Sequence, residues 1–279
     1  MNVLSFSGGL GNQMFQFAFY LFQRKKQYGC WFFDVPKELK YHHQGFELDK
    51  IFNLCKYYQY HRIILKLLQR IGIKQVVVTE KSGVYYNEVP LNLNTPENIT
   101  LYKGFWQSEK YFKEIEDEVR DTFKFQRFRL NEKSRFLYEL LTNNEKNFIS
   151  IHIRRGDYME DPERQVCTLN YYYLAINYIK QHVKQPNFVV FSDDILWCKE
   201  HLMNLHDGVQ YVDWNIGKDC WQDMCLMSNC SHHIIANSSF SWWGAWLNRN
   251  PRKIVVCPKR WNVDYPLDSD RVPQNWIKL

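Results

Sequence analysis

The residues best suited to chemistry cluster in His152-Ile153-Arg154-Arg155-Gly156-Asp157-Tyr158, at the end of an apolar run from Phe148 to Ile153. If that run is a strand, the paired arginines emerge at its carboxyl end, where ligands bind in α/β folds. Guanidinium groups stay charged and pair phosphate oxygens bidentately, so they can neutralise a leaving diphosphate without a metal. His152 and Arg154 share one side of the strand through its period of two, while Arg155 leaves in the loop. Ion pairing with surface acids is the ordinary alternative. A second group, Phe191-Ser192-Asp193-Asp194, also ends an apolar run. A carboxylate there suits the N1–H and exocyclic amine of guanine, with a divalent cation as rival partner. One of the two acids is expected to cap a helix starting at Ile195.

A third segment runs Ile235-Ala236-Asn237-Ser238-Ser239-Phe240-Ser241-Trp242-Trp243-Gly244. Its serines can donate to phosphate oxygens where a strand turns into a helix, and Phe240 or a tryptophan can pack on a ring. Core packing of Trp242, Trp243 and Trp246 is the alternative. The fourth segment is Ser7-Gly8-Gly9-Leu10-Gly11-Asn12-Gln13, a strand-to-helix loop that lets a phosphate approach the backbone. As a dinucleotide fingerprint it is incomplete, because Met14 stands where the third glycine belongs. Asp34 holds the position of a ribose-binding acid. Asp268-Ser269-Asp270 fits a metal-binding D-x-D pattern but lies in an apparent loop. Cys220, Cys225 and Cys230, followed by His232 and His233, are too widely spaced for a usual zinc site and read as reduced, half-buried cysteines.

These segments need a scaffold, and apolar periodicity supplies one. Strands are expected at Val3 to Ser7 and Cys30 to Asp34, flanking a helix from Asn12 to Gln27. Val76 to Val78 reads as a strand, and Lys110 to Arg120 and Lys133 to Asn143 as helices. The second half alternates again: strands at 148–153, 188–192, 209–212, 234–236 and 253–256, helices at 170–183, 195–203, 222–229 and from 240. Such alternation implies parallel sheets covered by helices. The expected architecture is α/β, two Rossmann-like domains facing a central cleft, divided at the polar stretch Asn144-Glu145-Lys146-Asn147 into 1–145 and 146–279.

Composition bounds the class. With 279 residues, 45% hydrophobic and 24% charged, the chain is long enough for about two globular domains. Aromatics reach 17% and the net charge is +6, compatible with an acidic ligand such as a nucleotide. No run approaches the roughly 18 apolar residues of a membrane span, and no signal peptide is evident. Arg62 to Gly72 is amphipathic; packing of its apolar face into the core is expected, with contact to an anionic membrane as the alternative. Binding of NAD through the first loop, or of nucleic acid through the excess charge, remain the other function classes.

Together, Gly8 to Gln16, Gly104-Phe105-Trp106-Gln107-Ser108-Glu109-Lys110-Tyr111-Phe112, His152 to Tyr158, Phe191 to Asp194 and Asn237 to Leu247 resemble the α-1,2-fucosyltransferases of glycosyltransferase family 11. The resemblance implies a GT-B-like fold and metal-independent, inverting transfer of L-fucose from GDP-L-fucose to the 2-hydroxyl of a terminal galactoside. It implies no cofactor beyond that donor. The C-terminal domain would hold the donor and the N-terminal domain the acceptor, which includes lipid-linked glycans. Arg154 would meet the donor diphosphate with Arg155 beside it; His152 and Asp193 or Asp194 would meet the guanosine. Gly11 and Asn12 would approach the diphosphate from the first domain, and Ser238, Ser239 and Phe240 from the second. Asp157 is the candidate base, ahead of Glu160, Asp161 and Glu163. Lacking the membrane anchor of animal members, the chain is expected to be a bacterial cytoplasmic enzyme, at most peripheral to the inner membrane face.

Overall fold

The computed structural model describes residues 1–26, 30–41, 44–54, 63, 64, 66, 67, 70, 73–81, 84–87, 98–143, 146–202, 209–267 and 269–279. Two compact units divide the chain, Met1–Lys124 and Phe125–Leu279.

The first unit carries β1 (Asn2–Ser5), α1 (Leu10–Lys26), β2 (Trp31–Asp34), α2 (Leu48–Phe52), β3 (Lys74–Thr79), β4 (Asn98–Lys103) and α3 (Glu116–Thr122). Its sheet has the order β2-β1-β4-β3 and every pairing is parallel. The glycine loop ends at α1, which runs close to expectation and finishes on Arg24, Lys25 and Lys26, cations suited to a helix C-terminus. β4 lies centrally between β1 and β3. Its buried Thr100 interrupts the apolar run that would have marked a strand in the sequence.

The helix expected over Lys110 to Arg120 is divided into 3-10 turns at Glu109–Tyr111 and Lys113–Ile115 before α3. The break at Phe112 lets both Tyr111 and Phe112 bury completely, which one continuous charged helix would not allow. Ile63, Ile64 and Leu67 are 56%, 37% and 54% exposed, so these described residues of the amphipathic segment do not pack into the core as expected. The rest of that segment's apolar face, Leu68 and Ile71, lies outside the described residues, as do Asn144 and Glu145 of the polar break and Asp268.

The second unit carries α4 (Glu132–Thr142), β5 (Asn147–Ile153), α5 (Leu169–His182), β6 (Pro186–Ser192), α6 (Ile195–His201), β7 (Gln210–Val212), α7 (Trp221–Ser228), β8 (His232–Ile234), α8 (Ser239–Leu247), β9 (Val255–Cys257) and β10 (Ile277–Lys278). The parallel sheet has the order β10-β9-β8-β5-β6-β7. Central β5 is buried from Phe148 to Ile153, and Ile149, Ile151 and Ile153 join Tyr171, Ile176 and Val190 in the core. Buried Ser150 and His152 alternate with these isoleucines, so the strand is covered on both faces although only one of them is apolar.

The units divide earlier in sequence than the polar stretch at 144–147. α4 belongs to the second unit because its N-terminus is wired into it. Asn131 Nδ2 donates to Asn215 Oδ1 at 2.8 Å, Ser134 Oγ donates to the same oxygen at 3.0 Å, and Asn215 Nδ2 donates to Asp223 Oδ1 at 2.7 Å. Burial pushes the Asp223 carboxyl up to about 7 from an ordinary 3.8, with the Asn215 bond pulling the other way. The folded chain therefore holds this proton more tightly than the unfolded chain, and stability falls as pH rises from about 4 to about 7. Asp223→Asn should remove this group's contribution to that fall, on the order of 4 kcal/mol across the range. Urea unfolding at both ends of that range checks it; an unchanged slope would refute the assignment.

Candidate active site

In the sheet order β8, β5 and β6 are neighbours, so their carboxyl ends bring together three of the four sequence segments. Arg154 Nη2 donates to Asp157 Oδ1 at 2.5 Å, and Arg154 Nη1 lies 3.0 Å from Asp193 Oδ2. Burial opposes this charge, but the Asp193 and Asp157 carboxylates outweigh it and hold the guanidinium pKa above its ordinary value. Arg155 turns away from Arg154. Its Nε donates to Asp194 Oδ2 at 3.0 Å, and its guanidinium lies 4.0 Å from the Trp197 ring centroid, a cation–π distance.

The two aspartates have separate tasks. Asp194 caps α6, its Oδ1 accepting from Trp197 N at 3.2 Å, as expected for one of the pair. Asp193 accepts from Arg155 N at 2.9 Å while facing Arg154. Gly156 makes room for it, since a Cβ there would fall 2.6 Å from Asp193 Oδ2. The ion pairs anticipated as the ordinary use of these arginines are thus present at the strand ends. Asp157 has both oxygens turned to guanidinium groups, with Arg164 Nη1 3.7 Å from Oδ2. As a base it must first be released from Arg154.

His152 is buried, and burial followed by the nearby Arg154 charge pushes its pKa down to about 3, so the ring is neutral at physiological pH. Its ring centroid lies 5.8 Å from that of Phe240, and its Nδ1 has no hydrogen-bond partner among the described residues. Ser238 caps α8 by accepting from Phe240 N at 3.3 Å. Ser239 and Phe240 are half-buried on the first turn of that helix. Ser241 instead faces inward, its Oγ donating to backbone oxygens of Ala236 and Ser238. Trp242, Trp243 and Trp246 are buried against one another, so the tryptophans of this motif are core and Phe240 alone keeps an accessible ring.

Asn237, missed as a structural residue by sequence reasoning, fastens the site from below. Its Nδ2 donates to Arg164 O and Trp261 O, both at 2.9 Å, and its carbonyl accepts from Tyr158 OH at 3.1 Å. A cavity of about 140 Å³ between Arg154, Arg155, Tyr158, Trp197 and Asn237 opens within this cluster.

Among the described residues there is no group of three or more His, Cys, Asp or Glu side chains able to hold a metal ion. His233 is taken up by Ser150 Oγ and Asn248 Nδ2, each at 2.8 Å from a ring nitrogen. Cys225 and Cys230 are buried, and burial pushes their thiols well up.

The glycine loop of the first unit leads into α1, whose first turns are tied to neighbouring loops. Its amide side chains stitch loops to α1. Gln13 Nε2 donates to Gly8 O at 2.9 Å and Gly45 O at 2.8 Å, and its Oε1 accepts from Glu47 N at 2.9 Å. Gln16 Nε2 reaches Ser7 Oγ and Gly104 O, and its Oε1 accepts from Ser7 N. Glu47, buried, accepts from the backbone of Leu10 at the start of the helix. Burial pushes this carboxyl up to about 7, with the Leu10 bond and Lys50 opposing.

Asn12 leads to the corner after β4. Gln107 Nε2 donates to Asn12 Oδ1 at 2.6 Å. Glu80 Oε2 accepts from Phe105 N at 2.8 Å and Trp106 N at 3.0 Å, fixing the turn between them. Trp106 has φ +55°, a left-handed conformation costing a bulky residue about 1–3 kcal/mol. Its ring stacks on Phe19 at 4.2 Å and is buried. Trp106 Nε1 and Gln107 Oε1 are buried without a hydrogen-bond partner among the described residues, each costing about 1–3 kcal/mol.

The model of glycosyl transferase family 11 matches residues 84–279. The chain is 33% identical over 293 residues to an alpha-1,2-colitosyltransferase of Escherichia coli, covering 99% of this chain and 98% of that one. It is 25% identical over 158 residues to a galactoside alpha-(1,2)-fucosyltransferase 2 of Gorilla gorilla gorilla, 54% of this chain and 46% of the relative. Among solved structures, NodZ alpha-1,6-fucosyltransferase soaked with GDP-fucose matches with a TM-score of 0.53 at 15% identity, over 91% of this chain and 94% of that one. That likeness bears on the fold alone, which is GT-B, as the alternating elements and the motifs led us to expect. The oxidoreductase and nucleic-acid readings give way to a glycosyltransferase. On the family model and the full-length relative together, the chain belongs to glycosyltransferase family 11.

Proposed function

We propose that the protein transfers L-fucose from GDP-L-fucose to the 2-hydroxyl of a terminal galactoside, with inversion and without a metal, in the cytoplasm at surface-glycan assembly. The observation that carries this reading is Arg154, set at the end of β5 between Asp157 and Asp193. A diphosphate can replace the carboxylates as its partner. In that exchange the donor frees Asp157, which becomes able to take the proton of the acceptor hydroxyl, and frees Asp193, which becomes able to accept from guanine. Neutral His152 lies near the end of the same strand, its ring 5.8 Å from that of Phe240.

As the bond to GDP breaks, positive charge grows on the sugar ring and negative charge on the β-phosphate. A preorganised guanidinium stabilises the second of these. The second unit thus holds the donor and the first unit the acceptor. Transfer of colitose, which is 3-deoxy-L-fucose, is the second reading, favoured by the full-length relative named for it.

The test is incubation with GDP-fucose or GDP-colitose and a panel of β-galactosides in EDTA, followed by NMR of the product. An α-1,2-linked product is expected. No transfer from either donor, another linkage, or a metal requirement would overturn the proposal.

A further inference from the structure

Asp157 divides its two oxygens between two arginines. Oδ1 accepts from Arg154 Nη2, and Oδ2 lies 3.7 Å from Arg164 Nη1. Arg164 is held more firmly than a plain surface arginine. Its Nε lies 2.9 Å from Asp161 Oδ2, which leaves Nη1 for Asp157. Its carbonyl accepts from Asn237 Nδ2 at 2.9 Å, and the next residue, Gln165, donates from Nε2 to Met159 O at 2.9 Å. The Tyr158 ring meets both guanidinium groups, its centroid 5.6 Å from that of Arg154 and 5.4 Å from that of Arg164. Because the Tyr158 hydroxyl donates to Asn237 O, one buried asparagine fixes the turn of Asp157 and the turn of Arg164 together. Arg154, Tyr158 and Arg164 all line the cavity of about 140 Å³. The Asp157 and Arg164 side chains are 45% and 48% exposed, so packing does not lock either and Asp157 is able to turn.

We infer that Arg164 is a positioning residue for the proposed base, keeping hold of Asp157 through Oδ2 when the donor diphosphate displaces Oδ1 from Arg154. The inference rests on the proposed GDP-sugar donor and says how the site makes room for it. A carboxylate pushed off one cation by an incoming anion is repelled by that anion and is stabilised only by another cation. Shortening the contact to Arg164 by roughly 1 Å gives the length of a charge-assisted hydrogen bond. Oδ1, the oxygen that Arg154 releases, is then the one open to the acceptor hydroxyl. Without Arg164 the carboxylate has no second cation to turn to and stays on Arg154 as a competitor of the diphosphate.

The test is a calorimetric titration of GDP into wild type, Arg164→Ala, Asp157→Asn and the double variant. Arg164→Ala should weaken GDP binding about threefold, the strength of a half-exposed ion pair. Asp157→Asn removes the competing charge, and in that background Arg164→Ala should change GDP affinity by less than about 1.5-fold. Arg164→Lys keeps a cation beside Asp157 and should bind GDP as wild type does. Arg164→Gln takes the place of the alanine variant if that variant does not fold. Equal weakening in both backgrounds, as a direct phosphate contact or a loosened turn would give, would overturn the role of Arg164 and leave the donor reading standing. No weakening in either background would do the same. No binding of GDP by wild type would instead overturn the donor reading, and this inference with it.

Discussion

Arg154→Ala should lower kcat/KM by about 100- to 1000-fold, the loss of about 2.7–4 kcal/mol of transition-state stabilisation seen when one oxyanion donor is removed. The effect should be large because the guanidinium is already positioned. Asp157 and Asp193 hold it at the end of β5, where the donor's diphosphate takes their place as its partner. Arg154→Lys should recover little, because an ammonium cannot make the paired, planar contacts of the fork. Asp193→Asn separates positioning from charge: it keeps a group of the same size beside Gly156 but weakens the hold on Arg154. It should raise the KM for donor more than it lowers kcat. Steady-state kinetics with the donor varied check all three, and near-normal turnover by Arg154→Ala would end the assignment of this arginine.

Trp243→Ala should be the most damaging single change to stability, costing about 3–5 kcal/mol. Trp243 is wholly buried, meeting Trp242 edge-on at 5.0 Å and Trp246 at 5.2 Å. α8 has little room to collapse into the space left behind. Gly244 already lies close to the Met227 side chain, with an added Cβ falling 3.0 Å from Met227 Cβ. Because α8 carries Ser238, Ser239 and Phe240 at its start, donor affinity should fall along with stability. Urea unfolding followed by tryptophan fluorescence reads the first effect and GDP titration the second. A shift in unfolding free energy below about 1 kcal/mol would show that the cluster repacks.

The second unit was legible because strands such as β5 and β6 are rich in isoleucine, valine and phenylalanine and its helices carry capping residues. Thr168 accepts from Tyr171 N, and Asp194 from Trp197 N, at the starts of α5 and α6. In the first unit the central β4 stayed hidden because buried Thr100 and neighbouring Asn98 break the apolar signal. The paired arginines could be found from their place after a strand. Their partners could not: Arg154 and Asp193 are far apart in sequence, and the sheet register of β5 on β6 unites them. The wiring of the glycine loop stayed hidden for the same reason. Sequence shows the amides of Gln13 and Gln16 next to glycines, but not that they are spent on carbonyls of three separate loops.

Those amides have a consequence for laboratory evolution. Gln13 and Gln16 are wholly buried, yet in a library selected for turnover they should rank beside Arg154 as positions where almost nothing is accepted. A single base change converts glutamine to glutamate at nearly the same volume, but the product loses its N–H donors and turns a carboxylate toward backbone oxygens. Such clones should vanish from the soluble fraction, whereas clones altered at Arg154 should persist there as inactive, folded protein. Sorting the library by soluble yield before assaying turnover therefore separates residues that build the scaffold from residues that act on the sugar nucleotide.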